Sequence, residues 1–152
     1  ENKDKMDKEE RMVKQAGVGQ RICELHCPLH VLYVPQDPTG GKYSFYINGK
    51  KMNAHTYWDG GLVKMLEPDW TYYEYSEAAD TATPEEIAKI QEGDVYAWGK
   101  SSAENCFPEH ALYPTGGDLD ANHPEADRAL LYTQFRNAGY RLAKALEYIF
   151  EN

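Results

Sequence analysis

The stretch from Pro124 onward constrains the fold most. Leu131, Phe135, Ala138, Leu142, Leu146 and Ile149 recur at spacings of three and four, which places them on one stripe of an α-helix. Pro124 suits the first turn, and Glu125 and Asp127 complement the positive end of the helix dipole. A long helix with an apolar stripe must lay that stripe against other elements. The stripe is therefore read as core, and the chain as an all-α helical bundle.

The remaining punctuation agrees. Asp4–Lys8, Asp7–Arg11 and Glu10–Lys14 are acid-before-base pairs four apart, predicting an opening helix that runs to about Cys27 and kinks or ends at Pro28. Gly17 and Gly19 cost that helix stability and suggest close approach of another helix. Residues 35–53 form a non-helical insert. Tyr43 to Ile47 reads as a strand, and Asn48-Gly49 is a strong hairpin signal. Asn53 is the N-cap of a predicted helix from Ala54 to about Leu66. Residues 67–82 read as irregular. Thr83, Pro84 and Glu86 cap a helix predicted to reach about Asn105, with Gly93 and Gly99 as potential breaks. Residues 107–123 read as a second loop. One small β-hairpin thus accompanies the helices.

At 152 residues the chain suits one compact domain, and no apolar run is long enough to span a membrane. The formal charge is −9, which disfavours extended gripping of duplex DNA. It leaves room for a small phosphate-ester site, because bound cations can supply local positive charge. The acidity of residues 67–94 reads as a solvated face. Cys23 and Cys27, four apart on a helix, would hold their Cβ atoms about 5–6 Å apart, too far for an unstrained disulfide. No signal peptide is present, and the chain opens directly on charged helix. That abrupt start is read as the sign of a preceding segment, with residues 1–152 forming the C-terminal part of a longer helical domain.

Chemistry concentrates in two stretches. The first is Gln20-Arg21-Ile22-Cys23-Glu24-Leu25-His26-Cys27-Pro28-Leu29-His30, and the second runs from Asn53 through His55 and Trp58 to Asp59 and Gly61. His55 and Asp59 lie four apart in a predicted helix and point the same way. Imidazole nitrogen and carboxylate oxygen ligate zinc at about 2.0–2.2 Å. His30 can supply a third ligand from another helix. By spacing alone this is a weak signal, because such pairs are common and often make only an ordinary hydrogen bond. His26 reads as an orienting or surface residue, and His110 and His123 as exposed loop residues. Trp58 reads as packing. Tyr33, Tyr43 and Tyr57 can line a cleft, with packing as the competing reading.

The order of these pieces is more specific than their spacing. His26-Cys27-Pro28-Leu29-His30, Gly40-Gly41, Asn53-Ala54-His55 and Trp58-Asp59 resemble, in sequence, the metal motifs of the zinc-dependent single-strand nuclease and phospholipase C superfamily. Tyr96-Ala97-Trp98, Cys106 and the closing Ala138-Gly139-Tyr140-Arg141-Leu142-Ala143 extend the resemblance over nearly the whole chain.

The resemblance implies a helical phosphoesterase. His30, His55 and Asp59 match the ligands of one zinc, which is complete here. In a neighbouring site the family His falls on Gln20, a poor zinc ligand because its amide is neutral. The family's bridging Asp falls on Glu24, which retains the ability to ligate. Up to three zincs are implied if a preceding segment supplies the other ligands, and that segment is then an intramolecular partner. The resemblance also implies a disulfide between Cys106 and that segment, and secretion or periplasmic export. The expected activity is that of a nuclease or 3′-nucleotidase on single-stranded nucleic acid. A phospholipase C-like phosphodiesterase, and a degenerate non-catalytic metal-binding protein, are the alternatives.

Overall fold

A computed structural model describes residues 7–31, 41–42, 44–106, 117–119 and 123–151. Helix α1, Lys8–Glu24, starts where Asp7 accepts a hydrogen bond from the Glu10 amide at 2.8 Å. Glu10 and Lys14 pair at 3.0 Å on its exposed side, a contact worth at most about 1 kcal/mol. Asp4 and the Arg11 side chain lie outside the description. The helix stops at Glu24, earlier than the spacing predicts. Pro28 then opens a separate short helix, α2, Pro28–Val31. Proline at a first helical position loses no intrahelical bond, so it starts a turn here instead of kinking one. Gly19 faces the helix that carries Leu142, where an added Cβ would sit 3.7 Å from Leu142 Cδ1, whereas Gly17 meets nothing.

Strands β1, Ser44–Ile47, and β2, Lys50–Asn53, form the predicted antiparallel hairpin, with Ile47 opposite Lys50. Asn48 and Gly49 have φ of 51° and 72°, the left-handed pair that a two-residue turn matched to strand twist requires. Phe45 and Ile47 alternate into the core. A third strand, β3, Gly117–Leu119, runs parallel to β1. Reading residues 107–123 wholly as loop missed it, because three residues beside a Gly-Gly pair carry no strand period.

Helix α3, Ala54–Thr56, is capped by Asn53, whose side chain accepts from the Thr56 amide at 2.7 Å. It passes into a π-helical turn, Tyr57–Gly61, and then α4, Leu62–Leu66. Tyr57 and Trp58 are buried and Asp59 is exposed. An added Cβ on Gly61 would lie 2.8 Å from Met52 Sδ and 3.1 Å from the Thr56 carbonyl, so the turn is pressed tightly onto the hairpin.

Residues 67–82 are not irregular. They contain α5, Tyr72–Ala79, opened by a reciprocal cap in which Thr71 and Glu74 bond each other's backbone amides. Helix α6, Pro84–Ile90, has the same device at Thr83 and Glu86. Gly93, at φ 83°, separates it from α7, Val95–Cys106, while Gly99 is accommodated within α7.

Helix α8, His123–Glu151, packs against α1, α4, α5, α6 and α7. Its apolar stripe is not core as expected. Leu131 is buried, but Ala138, Leu142, Leu146 and Ile149 are only half-buried and Phe135 is exposed. The buried face carries Asp127, Leu131, Gln134, Asn137 and Arg141. Hydrogen bonds offset the cost of that polar burial. Tyr57 Oη donates to Asp127 Oδ2 at 2.7 Å, Gln134 Nε2 donates to the His26 carbonyl at 2.9 Å, and Arg141 Nε donates to the Ile90 carbonyl at 2.9 Å. The apolar core lies around the hairpin and α3–α4, with Leu29, Phe45, Ile47, Tyr57, Trp58, Leu62 and Leu131 packed together. Among the described residues, no helix is long and apolar enough to cross a membrane.

Candidate metal centre

Three short elements converge at one end of the molecule: the end of α1, the single turn of α2, and the α3/π-helical segment. His30 Nε2 and His55 Nε2 lie 3.3 Å apart. His30 Nε2 is 3.2 Å from Asp59 Oδ1, and His55 Nε2 is 3.1 Å from Asp59 Oδ2. Donors bound tetrahedrally to zinc at about 2.0–2.1 Å sit about 3.3–3.4 Å from one another. The observed separations match that spacing.

Glu24 completes the arrangement from behind. Its Oε2 lies 2.6 Å from His30 Nδ1. An ionised carboxylate only accepts, so Nδ1 donates, and Nε2 is the nitrogen left facing Asp59 and His55. This carboxylate–histidine relation fixes both ring orientation and tautomer, as it does behind ligating histidines generally. His30 Nε2, His55 Nε2 and the two Asp59 oxygens therefore converge at the spacing of ligands around one ion. The residues fit a metal ion. Glu24, expected as a bridging ligand, instead contacts the outer nitrogen of His30. Gln20 is exposed one turn earlier on α1 and does not line the adjoining groove.

Cys27 was missed as a site residue. Cys27 sits inside the His26–His30 motif, but no ligand spacing in the sequence marks it. Its Sγ lies 3.4 Å from Asp59 Oδ1, and burial pushes the thiol up to about 12. Cys27, His30 and Asp59 offer donor atoms all within 4.8 Å of one another. Cys23, Cys27 and Cys106 are free thiols. Cys106 is buried, and Gln134 Nε2 donates to its Sγ at 3.5 Å.

His26 is neither an orienting residue of the cluster nor a surface residue. It is buried, its Nδ1 donates to the Ile22 carbonyl at 2.7 Å, and its Nε2 accepts from Arg141 Nη1 at 2.9 Å. Burial, with the Arg141 charge adding to it against the Ile22 bond, lowers its pKa to about 4. His123 is not a loop residue. It begins α8 and contacts Asp127 Oδ2 at 3.3 Å. Tyr57 is fully buried and lines no cleft, while Trp58 packs in the core as expected. His110, Tyr33, Tyr43 and the Gly40 end of the Gly-Gly motif lie outside the described residues.

A groove of about 1230 Å³ leads from Glu24, His30 and Asp59 along α8 toward Tyr72, Phe135 and Leu142. The half-buried stripe of α8 forms part of its wall. Tyr72 projects from α5, 71% exposed and packed on Tyr73 at 4.1 Å between ring centroids.

Fold and cluster together define a mostly helical protein in which two histidines and a carboxylate converge, with His30 and Asp59 lining a groove. The S1/P1 nuclease family model matches residues 2–151, and the chain belongs to that family, whose enzymes are zinc-dependent nucleases. No curated protein matches the chain significantly.

Proposed function

We propose that the chain is a zinc-dependent phosphoesterase acting on single-stranded nucleic acid or nucleotides, with His30, His55 and Asp59 as ligands to one zinc. The observation that carries this reading is the mutual 3.1–3.3 Å spacing of their donor atoms, with Glu24 fixing His30 from behind.

Zinc, when bound, supplies Lewis acidity toward a phosphoryl oxygen and a nucleophile from water near neutral pH. The chain's own residues do the positioning. Asn53 caps the turn that aims His55. The π-helical turn buries Trp58 while leaving Asp59 at the surface. Glu24 holds the His30 Nδ1 proton and so keeps Nε2 as a lone-pair donor. The groove offers an extended path for a strand, and the exposed Tyr72 ring offers a stacking surface that tolerates any base. The net charge of −9 fits a short site in which the metal, not lysine and arginine, meets the phosphate. Secretion or periplasmic export belongs to the same proposal, as does a preceding segment that supplies the ligands of further zincs.

One observation favours a second reading, a phospholipase C-like phosphodiesterase. The groove wall on α8 is apolar through Leu131, Phe135, Ala138 and Leu142, which suits acyl or glyceryl surface better than sugar–phosphate. Hydrolysis of single-stranded DNA is compared with hydrolysis of a chromogenic phosphocholine ester, each with chelator and with zinc restored. The proposal expects zinc-dependent cleavage of DNA that His55→Ala removes. Cleavage of the ester alone selects the second reading. No zinc-dependent cleavage of either leaves a degenerate binding protein. In that case the double change Gln20→His with Glu24→Asp, which restores the implied ligands, should raise activity.

A further inference from the structure

We infer that Cys27 is a sulfur ligand to the ion at His30 and Asp59, an inference that rests on the metal centre proposed above. Cys27 and His30 stand at the two ends of one turn. The His30 amide donates to the Cys27 carbonyl at 3.0 Å, which brings both side chains toward Asp59. Cys27 Sγ is 3.4 Å from Asp59 Oδ1, and Asp59 Oδ1 is 3.2 Å from His30 Nε2. On a tetrahedral zinc, a thiolate at about 2.3 Å and a carboxylate oxygen at about 2.0–2.2 Å sit about 3.5 Å apart. The sulfur therefore already lies at ligand spacing from one oxygen of the cluster. Cys27, His30 and Asp59 each offer a donor atom within 4.8 Å of the others, while His55 lies against the second oxygen of Asp59.

Coordination replaces the S–H bond with a sulfur–metal bond and releases the proton to solvent, with no change in oxidation state. The chemical consequence is selectivity. A thiolate beside two imidazoles favours zinc or cobalt over magnesium, calcium or manganese, which prefer oxygen. An added protein ligand also competes with water for the open position on which catalysis depends, so Cys27 tightens metal binding at the expense of turnover.

Cobalt(II) loaded into the metal-free full-length chain tests this directly. The wild type should show both visible ligand-field bands and an intense near-ultraviolet sulfur-to-cobalt charge-transfer band. Cys27→Ser and Cys27→Ala should keep the visible bands and lose the near-ultraviolet one, while Cys23→Ser and Cys106→Ser keep both. Visible bands without charge transfer in the wild type would overturn the sulfur ligand and leave the zinc reading standing. So would a charge-transfer band that survives Cys27→Ser. Absence of all cobalt bands, with no cobalt retained on dialysis, would overturn the metal centre itself and this inference with it.

Discussion

His26 and His30 lie four residues apart in one short segment, yet they end in opposite environments. His26 is 4% exposed, gives one nitrogen to a backbone carbonyl and the other to Arg141, and is complete. His30 lines the groove, gives one nitrogen to Glu24, and turns the other toward His55 Nε2 and Asp59 Oδ1. The break after Glu24 and the restart at Pro28 separate the two side chains, so one faces α8 and the other faces Asp59. A satisfied polar network specifies a unique packing. A convergent set of imidazole and carboxylate groups is one that an ion can bind. The same residue type thus completes the packing at one position and is a proposed zinc ligand at the other.

The largest test of that contrast is at His30. His30→Ala should lose zinc and reduce phosphoesterase activity to background, with the thermal transition retained. Loss of folding along with zinc would place His30 in the structural class with His26.

Acid should separate the two next. Above about pH 6.5 neither the native nor the unfolded chain carries a proton on His26. Between about 6.5 and about 4 the unfolded chain takes up a proton that the buried native ring refuses. The His26 contribution is therefore present above 6.5 and is lost as pH falls through that window, by roughly 3 kcal/mol in total. Denaturant titrations at several pH values measure the slope. His26→Gln should flatten it, and an unchanged slope would assign the acid sensitivity elsewhere.

Glu24→Gln tests how His30 is oriented. It should weaken zinc binding about 10–100-fold, as loss of a carboxylate behind a ligating histidine generally does. Competition against a metal-sensitive dye reads the shift, and a wild-type affinity would show that Glu24 does not set the ring. The smallest effect belongs to Asn53→Ala, which removes the cap beneath His55. It should cost about 1 kcal/mol of stability, visible as a small fall in the denaturation midpoint.

Much of this was legible in the sequence because local rules dominate locally. The Asn48-Gly49 turn, the Asn53 cap, the Thr83–Glu86 box and the convergence of His30, His55 and Asp59 all follow from spacing or from motif order. The misreadings have physical causes. Helix α5 is short and announced by the Thr71–Glu74 box, a signal hidden beneath the aromatic run Tyr72-Tyr73 and the acidic stretch. Periodicity marks the α8 stripe as core because it reports apolar positions. It does not report which helical face finds hydrogen-bond partners, and Asp127, Gln134 and Arg141 found theirs on neighbouring elements. The roles of Glu24 and Cys27 depend on distances across the break between α1 and α2, which no one-dimensional pattern contains.

The central claim is that His30, His55 and Asp59 hold zinc. Elemental analysis of the intact chain after dialysis against trace zinc, beside the His55→Ala variant, tests it most directly. The account predicts at least one zinc per wild-type chain and at least one fewer in the variant. A wild type that retains no zinc, or a variant that retains as much as the wild type, would contradict it.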